Sequence, residues 1–216
     1  MNAPVKFVLK DNVFWLSPER AIYWEDRQSL IISDLHFGKT GHFRKSGIAI
    51  PQAIFKKDLH RLLHLVQFFK PSQLLIVGDM FHSEENKELE LFRRWRNDIA
   101  YTSVKLIKGN HDILHKNCYE EMQIEVYDDV FQIDDFIFTH HPIENENEGA
   151  YVFSGHLHPG VTISGSGKQS LRFPCFYFTP KLAILPAFGE FTGFVSVSPT
   201  KGDKIFAIVN NGIVSV

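Results

Sequence analysis

Apolar positions along the chain follow two rhythms. Short runs of aliphatic, β-branched and aromatic residues come first: KFVL, VFWL, AIYW, SLIIS, LLIVG and VKLIKG, then FIFTH, YVFSG, LAILPAF, FVSVS, KIFAIV and GIVSV. Such runs, punctuated by Gly, Pro, Asn and Asp, predict strands. The second rhythm is helical. Between Pro51 and Phe69, apolar residues at Ile54, Phe55, Leu59, Leu62, Leu63, Val66 and Phe69 share one face of an amphipathic helix. From about Glu84 to Ile99, Leu89, Phe92, Trp95 and Ile99 predict another. After about residue 125 the helical rhythm stops. Strands alternating with helices, followed by strands alone, predict an α/β chain of layered sheets, with 1–216 as a single domain.

The ends of these runs carry the chemistry. LIISDLHFG ends in Asp34 and His36, LLIVGDMFH in Asp79, and VKLIKGNHD in Asn110 and His111. FIFTHHP ends in His140 and His141, and YVFSGHLHPG in His156 and His158. Alternate side chains of an extended segment point the same way, so both members of DLH and of HLH can face one site. Loops at the carboxyl ends of strands are where α/β proteins gather ligands. Five strand ends bearing nitrogen and oxygen donors therefore form a constellation of metal-competent groups.

Composition narrows the setting. Hydrophobic residues make up 44% of the 216 and charged residues 22%, with a formal net charge of −2. That balance gives no global basic footprint, so a nucleic-acid substrate needs a local patch or the metals to attract it. The 20 phenylalanines read as core filling. The two cysteines, Cys118 and Cys175, have no C-x-x-C spacing and read as reduced thiols. The amino-terminal stretch lacks the apolar core of a signal peptide, and no apolar run approaches about 18 residues. A cytoplasmic protein without membrane attachment is expected.

In order, DLH (34–36), GD (78–79), GNHD (109–112), HH (140–141) and GHLH (155–158) resemble the motif series of the calcineurin-like metallophosphoesterases. The stretches HFGKTGHFRKSGIAIP, GDMFHS and LRFPCFYF…LAILPAFGEFTG resemble more narrowly the bacterial DNA ligase-associated members. The resemblance implies two packed mixed β-sheets flanked by helices and a centre of two divalent metal ions. One ion would take Asp34, His36, Asp79 and His158, and the other Asp79, Asn110, His140 and His156, with Asp79 bridging. It implies hydrolysis of a phosphodiester, DNA first, by a hydroxide that the metals would hold. His111 would assist the leaving group and Asp112 would orient His111. The mixed donor set suits manganese, iron or zinc, its lack of thiolate disfavours a closed structural zinc site, and the resemblance makes manganese the expected ion. A DNA ligase and a helicase are the expected functional associates. A small nucleotide or phosphomonoester is the alternative substrate, and a metal-free scaffold is the reading from another class.

Other residues are open to two readings. Lys39, His42 and Arg44 follow the first motif and are phosphate contacts or a solvated loop. His82 lines the cleft or faces solvent, and His141 contacts substrate or is an ordinary loop residue. His60 and His64, four apart on the first helix, lack the surroundings of a zinc-binding HExxH and are expected at ordinary positions. RRWR (93–96) is expected on a solvated helix face.

Overall fold

Strands that are apolar throughout need cover on both faces, and this chain supplies helices on one side and a second sheet on the other. The computed structural model describes residues 2–39, 53–82, 87–143, 149–165 and 169–216. In the first sheet β1 (Val5–Leu9), β2 (Asn12–Ser17), β3 (Ala21–Trp24), β4 (Ser29–Ser33), β5 (Gln73–Val77), β6 (Ser103–Ile107) and β7 (Ile124–Tyr127) lie in chain order. The pairings are antiparallel from β1 to β4 and parallel from β4 to β7. Parallel strands require crossovers. Helices α1 (Ala53–Phe69), α2 (Lys87–Asp98) and α3 (Lys116–Glu121) occupy them.

The second sheet contains β8 (Val130–Ile133), β9 (Phe136–Thr139), β10 (Tyr151–Ser154), β11 (Pro159–Ser164), β12 (Ser170–Phe178), β13 (Leu182–Ile184), β14 (Val195–Ser196), β15 (Lys204–Val209) and β16 (Gly212–Ser215). Its order is β14-β11-β12-β13-β10-β9-β8, with β15 and then β16 joined through β12. β10 runs parallel to both β9 and β13. The two mixed sheets with flanking helices are the architecture expected from the sequence.

Side-chain alternation explains the layers. Leu30, Ile32, Leu74 and Ile76 face the helices and pack with Phe55, Leu62, Val66, Phe92 and Trp95. Ile31, Leu75 and Val77 point the other way, into a core shared with Phe136, Phe138, Phe153 and Phe176 of the second sheet. The phenylalanines fill this layer: Phe138 stacks on Phe153 at 5.5 Å between centroids, and Phe14 meets Phe136 edge-on at 5.4 Å. Each fully buried aromatic or aliphatic side chain contributes roughly 1.5–3 kcal/mol by leaving water.

Several local expectations differ from the structure. LAILPAF is a strand only to Ile184; beyond it a single bridge joins Ala187 to Ser33. Pro174, a residue expected at strand edges, lies inside β12 opposite Gly160. RRWR is solvated only in part. Arg93 and Arg94 pair with Glu121 and Glu90, whereas Arg96 is buried and donates to the Ile99 carbonyl. Trp95 and Arg96 are both buried on this stretch of helix, the arginine by sinking its stem into apolar surroundings. Among the described residues, no helix is long and apolar enough to cross a membrane.

Candidate metal centre

The five strands whose ends carry metal-competent groups are β4, β5 and β6 of one sheet and β9 and β10 of the other. All five deliver those groups just past their carboxyl ends, where the two sheets meet. At these points the backbone leaves the strand region. Asp34 (φ 49°), His36 (51°), Asp79 (30°), His156 (65°) and His158 (46°) all adopt positive φ. Non-glycine residues avoid this region, and such strain gathers at functional sites. Glycines admit the crowding. A Cβ on Gly78, itself at φ 82°, would collide with the His140 ring, and one on Gly109 with the Asp79 carboxylate.

Two carboxylates sit at the middle of the cluster, both buried. Asp79 Oδ1 accepts the His111 backbone N–H at 2.9 Å, which turns Oδ2 toward two imidazoles. That oxygen lies 3.7 Å from His36 Nε2 and 3.7 Å from His140 Nε2, a bridging position. Asp34 Oδ2 accepts the His156 backbone N–H at 3.0 Å and lies 3.7 Å from His158 Nε2. Around His140 Nε2, Asn110 Oδ1 and His156 Nδ1 each stand at 3.0 Å. His36 Nε2 and His158 Nε2 are 3.4 Å apart.

Three groups therefore offer ligand atoms within 4.8 Å of one another: Asp34, His36 and His158; Asp34, Asp79 and His140; and His140, His141 and His156. The donor chemistry fits divalent cations. Burial, with smaller contributions from Lys39 and the neighbouring imidazoles, pushes His36 down to about 2. Burial also takes His140 down to about 4, against the pull of Asp34. Neutral imidazoles are the ligating form. Among the described residues, Asp34 Oδ1, His36 Nδ1 and His140 Nδ1 are buried without a hydrogen-bond partner, a costly state that ligation or water would relieve.

The remaining predicted residues divide. The half-buried His111 ring lies 4.2 Å from the His82 ring and 5.6 Å from the His36 ring, centroid to centroid, beside the carboxylates. His82 is thus drawn to the centre through His111 and His36. Lys39 is half-buried, and both Asp79 and Asp34 raise its pKa against the larger lowering by burial. His141 is exposed, 4.2 Å from the His156 ring. It joins His140 as a possible ligand, so the HH pair contributes both members to the cluster. Arg44 and His42 lie outside the described residues. His60 and His64 are exposed on α1.

Asp112 has partners other than the expected one. Among the described residues its carboxylate accepts three backbone N–H groups: Gly109 at 2.9 Å, Phe81 at 2.8 Å and Met80 at 3.2 Å. The His111 ring is not among them. Asp112 thereby ties the loop after β5 to the loop after β6, and burial pushes its carboxyl up to about 7. Three amides aimed at one carboxylate have no sequence signature beyond the residue following the His. The Ser33–Asp34 backbone has a second support that the sequence reading missed, in the segment 186–190.

The calcineurin-like phosphoesterase family model matches residues 28–174, which span every strand end described above. The chain belongs to the calcineurin-like phosphoesterases. This phosphoesterase is also similar in structure to the nuclease MPE of Pseudomonas putida, at 28% identity and TM-score 0.84, covering 99% of this chain and 100% of that one. A weaker likeness is to the phosphoesterase Yfce of E. coli, at 14% identity and TM-score 0.45, covering 87% of this chain and 97% of the other. Comparison with curated proteins yields no significant match.

Proposed function

We propose that this phosphoesterase is a two-metal phosphodiesterase acting on DNA. The observation that carries the reading is the convergence of eight metal-competent residues from five strand ends, Asn110 among them through its 3.0 Å contact with His140, with the half-buried His111 beside them. One ion would be held by Asp34, His36, Asp79 and His158, and the other by Asp79, Asn110, His140 and His156. Imidazole, amide and carboxylate donors without thiolate suit manganese, with iron or zinc also accommodated. When bound, such a pair supplies Lewis-acid stabilisation of the phosphoryl group and makes water available as a nucleophile near neutral pH.

The chain's own groups do the rest. The backbone N–H of His111 fixes one oxygen of Asp79, so the other oxygen stays aimed at the imidazoles. A ring N–H of His111 donates a proton to the leaving oxygen, with the His82 ring packed against it to hold its plane. The Lys39 ammonium, close enough to sense both carboxylates, adds positive charge toward a substrate phosphate. DNA as substrate is supported by the full-length likeness to a nuclease at 28% identity. A working association with a DNA ligase and a helicase belongs to the same proposal.

The test is nicking of supercoiled plasmid by purified protein in Mn²⁺, with Asp79→Asn and a chelator as controls. Nicking by the wild type alone supports the reading. An intact plasmid alongside hydrolysis of a small phosphomonoester replaces DNA with a small ester. Failure on both, with no uptake of divalent metal, leaves the scaffold reading.

A further inference from the structure

The segment 186–190 has almost no regular structure, yet it is gripped from two sides. On the outer side, Arg20 Nη1 donates to the carbonyls of Ala187 at 3.3 Å and Gly189 at 3.1 Å. Arg61 donates to the carbonyl of Phe188 and lies 4.2 Å over its ring. Asp58, buried on α1, accepts the Glu190 backbone N–H at 3.1 Å and pairs with Arg61 at 2.8 Å. Two guanidiniums and one carboxylate thus hold four successive residues.

On the inner side the same residues meet the first ligand loop. The backbone N–H of Phe188 donates to Ser33 O at 2.7 Å, and that of Gly189 to Asp34 O at 3.1 Å. The approach is close: a Cβ on Gly189 would stand 2.5 Å from the Leu35 carbonyl oxygen. Farther along, Gly193 O lies 3.2 Å from His158 Nδ1, and the Val195 N–H donates to His158 O at 3.0 Å. This connection therefore touches Asp34 and His158, which share one candidate ligand group with His36. Asp34 sits at φ 49°, a conformation that persists only where its surroundings impose it.

We propose that Asp58, Arg61 and Arg20 are positioning residues for one of the two ions, the one assigned to Asp34, His36 and His158. They act through the backbone of 186–190 and touch neither metal nor substrate. The inference rests on the two-metal reading. Partners that orient ligands typically carry about 10–100-fold in metal affinity.

The experiment is calorimetric titration of metal-stripped protein with Mn²⁺, comparing wild type, Asp58→Asn and Arg20→Met, with circular dichroism to establish folding. In both variants one Mn²⁺ binds roughly 10–100-fold more weakly and the other binds as in wild type. If Asp58→Asn does not fold, Arg20→Met decides, because Asp58 and Arg61 still pair with each other in that variant. Unchanged affinities in a wild-type background of two bound ions overturn this inference alone, as does equal weakening at both sites. A wild type that takes up no Mn²⁺ overturns the two-metal reading itself.

Discussion

Val77 lies in the aromatic layer between the sheets, and Asp79, two residues on, lies in the candidate metal centre. From Leu74 to Val77, β5 obeys ordinary preferences: extended backbone, aliphatic side chains and complete burial. At Gly78 and Asp79 the chain turns into the left-handed region, and the Asp79 carboxylate is buried there. The same change occurs between Ser33 and Asp34 and between Ser154 and His156. The core is stabilised by surface removed from water. The centre carries backbone strain of about 1–3 kcal/mol per left-handed residue and, among the described residues, buried polar atoms without hydrogen-bond partners. Stability and function are thus assigned to adjacent stretches of the same strands, so substitutions a few residues apart should fail in different ways.

The largest expected effect sharpens that contrast. His111→Ala should lower kcat on a phosphodiester by roughly 10²–10⁴-fold while leaving the thermal midpoint in place, because the backbone N–H that holds Asp79 remains. Parallel kinetic and melting curves check it, and an equal fall in stability would erase the distinction. Phe153→Ala, in the aromatic layer, should do the reverse. It should cost about 3–5 kcal/mol in urea unfolding and leave Mn²⁺ affinity unchanged in the protein that remains folded. Metal itself should act on the strained side alone. Mn²⁺ at about 100 times its dissociation constant should add about 2.7 kcal/mol per ion bound only to the native state, read as a raised thermal midpoint that chelator reverses. The smallest effect belongs to His60→Ala with His64→Ala. These exposed side chains on α1 should change stability by less than about 0.5 kcal/mol and should not alter metal uptake.

The sequence made the layers legible because strand alternation and helical periodicity both report which face is buried. Leu89, Phe92 and Trp95 are buried where the pattern of α2 places them, and so is Ile99 just past its end. The ligand loops were legible for a different reason. Metal-competent residues concentrated at strand ends leave a signature that does not depend on tertiary detail. What stayed hidden was held by backbone groups. Asp112 meets three main-chain amides, and Asp58 meets the Glu190 N–H on a segment 132 positions away along the chain. Main-chain donors are present at almost every residue, so nothing in the letters marks which of them a carboxylate will find. Of β12, only CFYF (175–178) reads as strand-like, Pro174 obscuring the half before it, and α3 is too short for a periodic pattern to register.

The positive φ values at Asp34, His36, Asp79, His156 and His158 set a condition on transplanting this centre into another protein. A host scaffold given the same seven side chains on relaxed strand ends would aim them in different directions, because Cβ follows the backbone that carries it. The transferable unit includes the bent peptides, the glycines that make room for them and the distant groups that keep them bent. A blueprint written only in ligand letters would reproduce the inventory without the site.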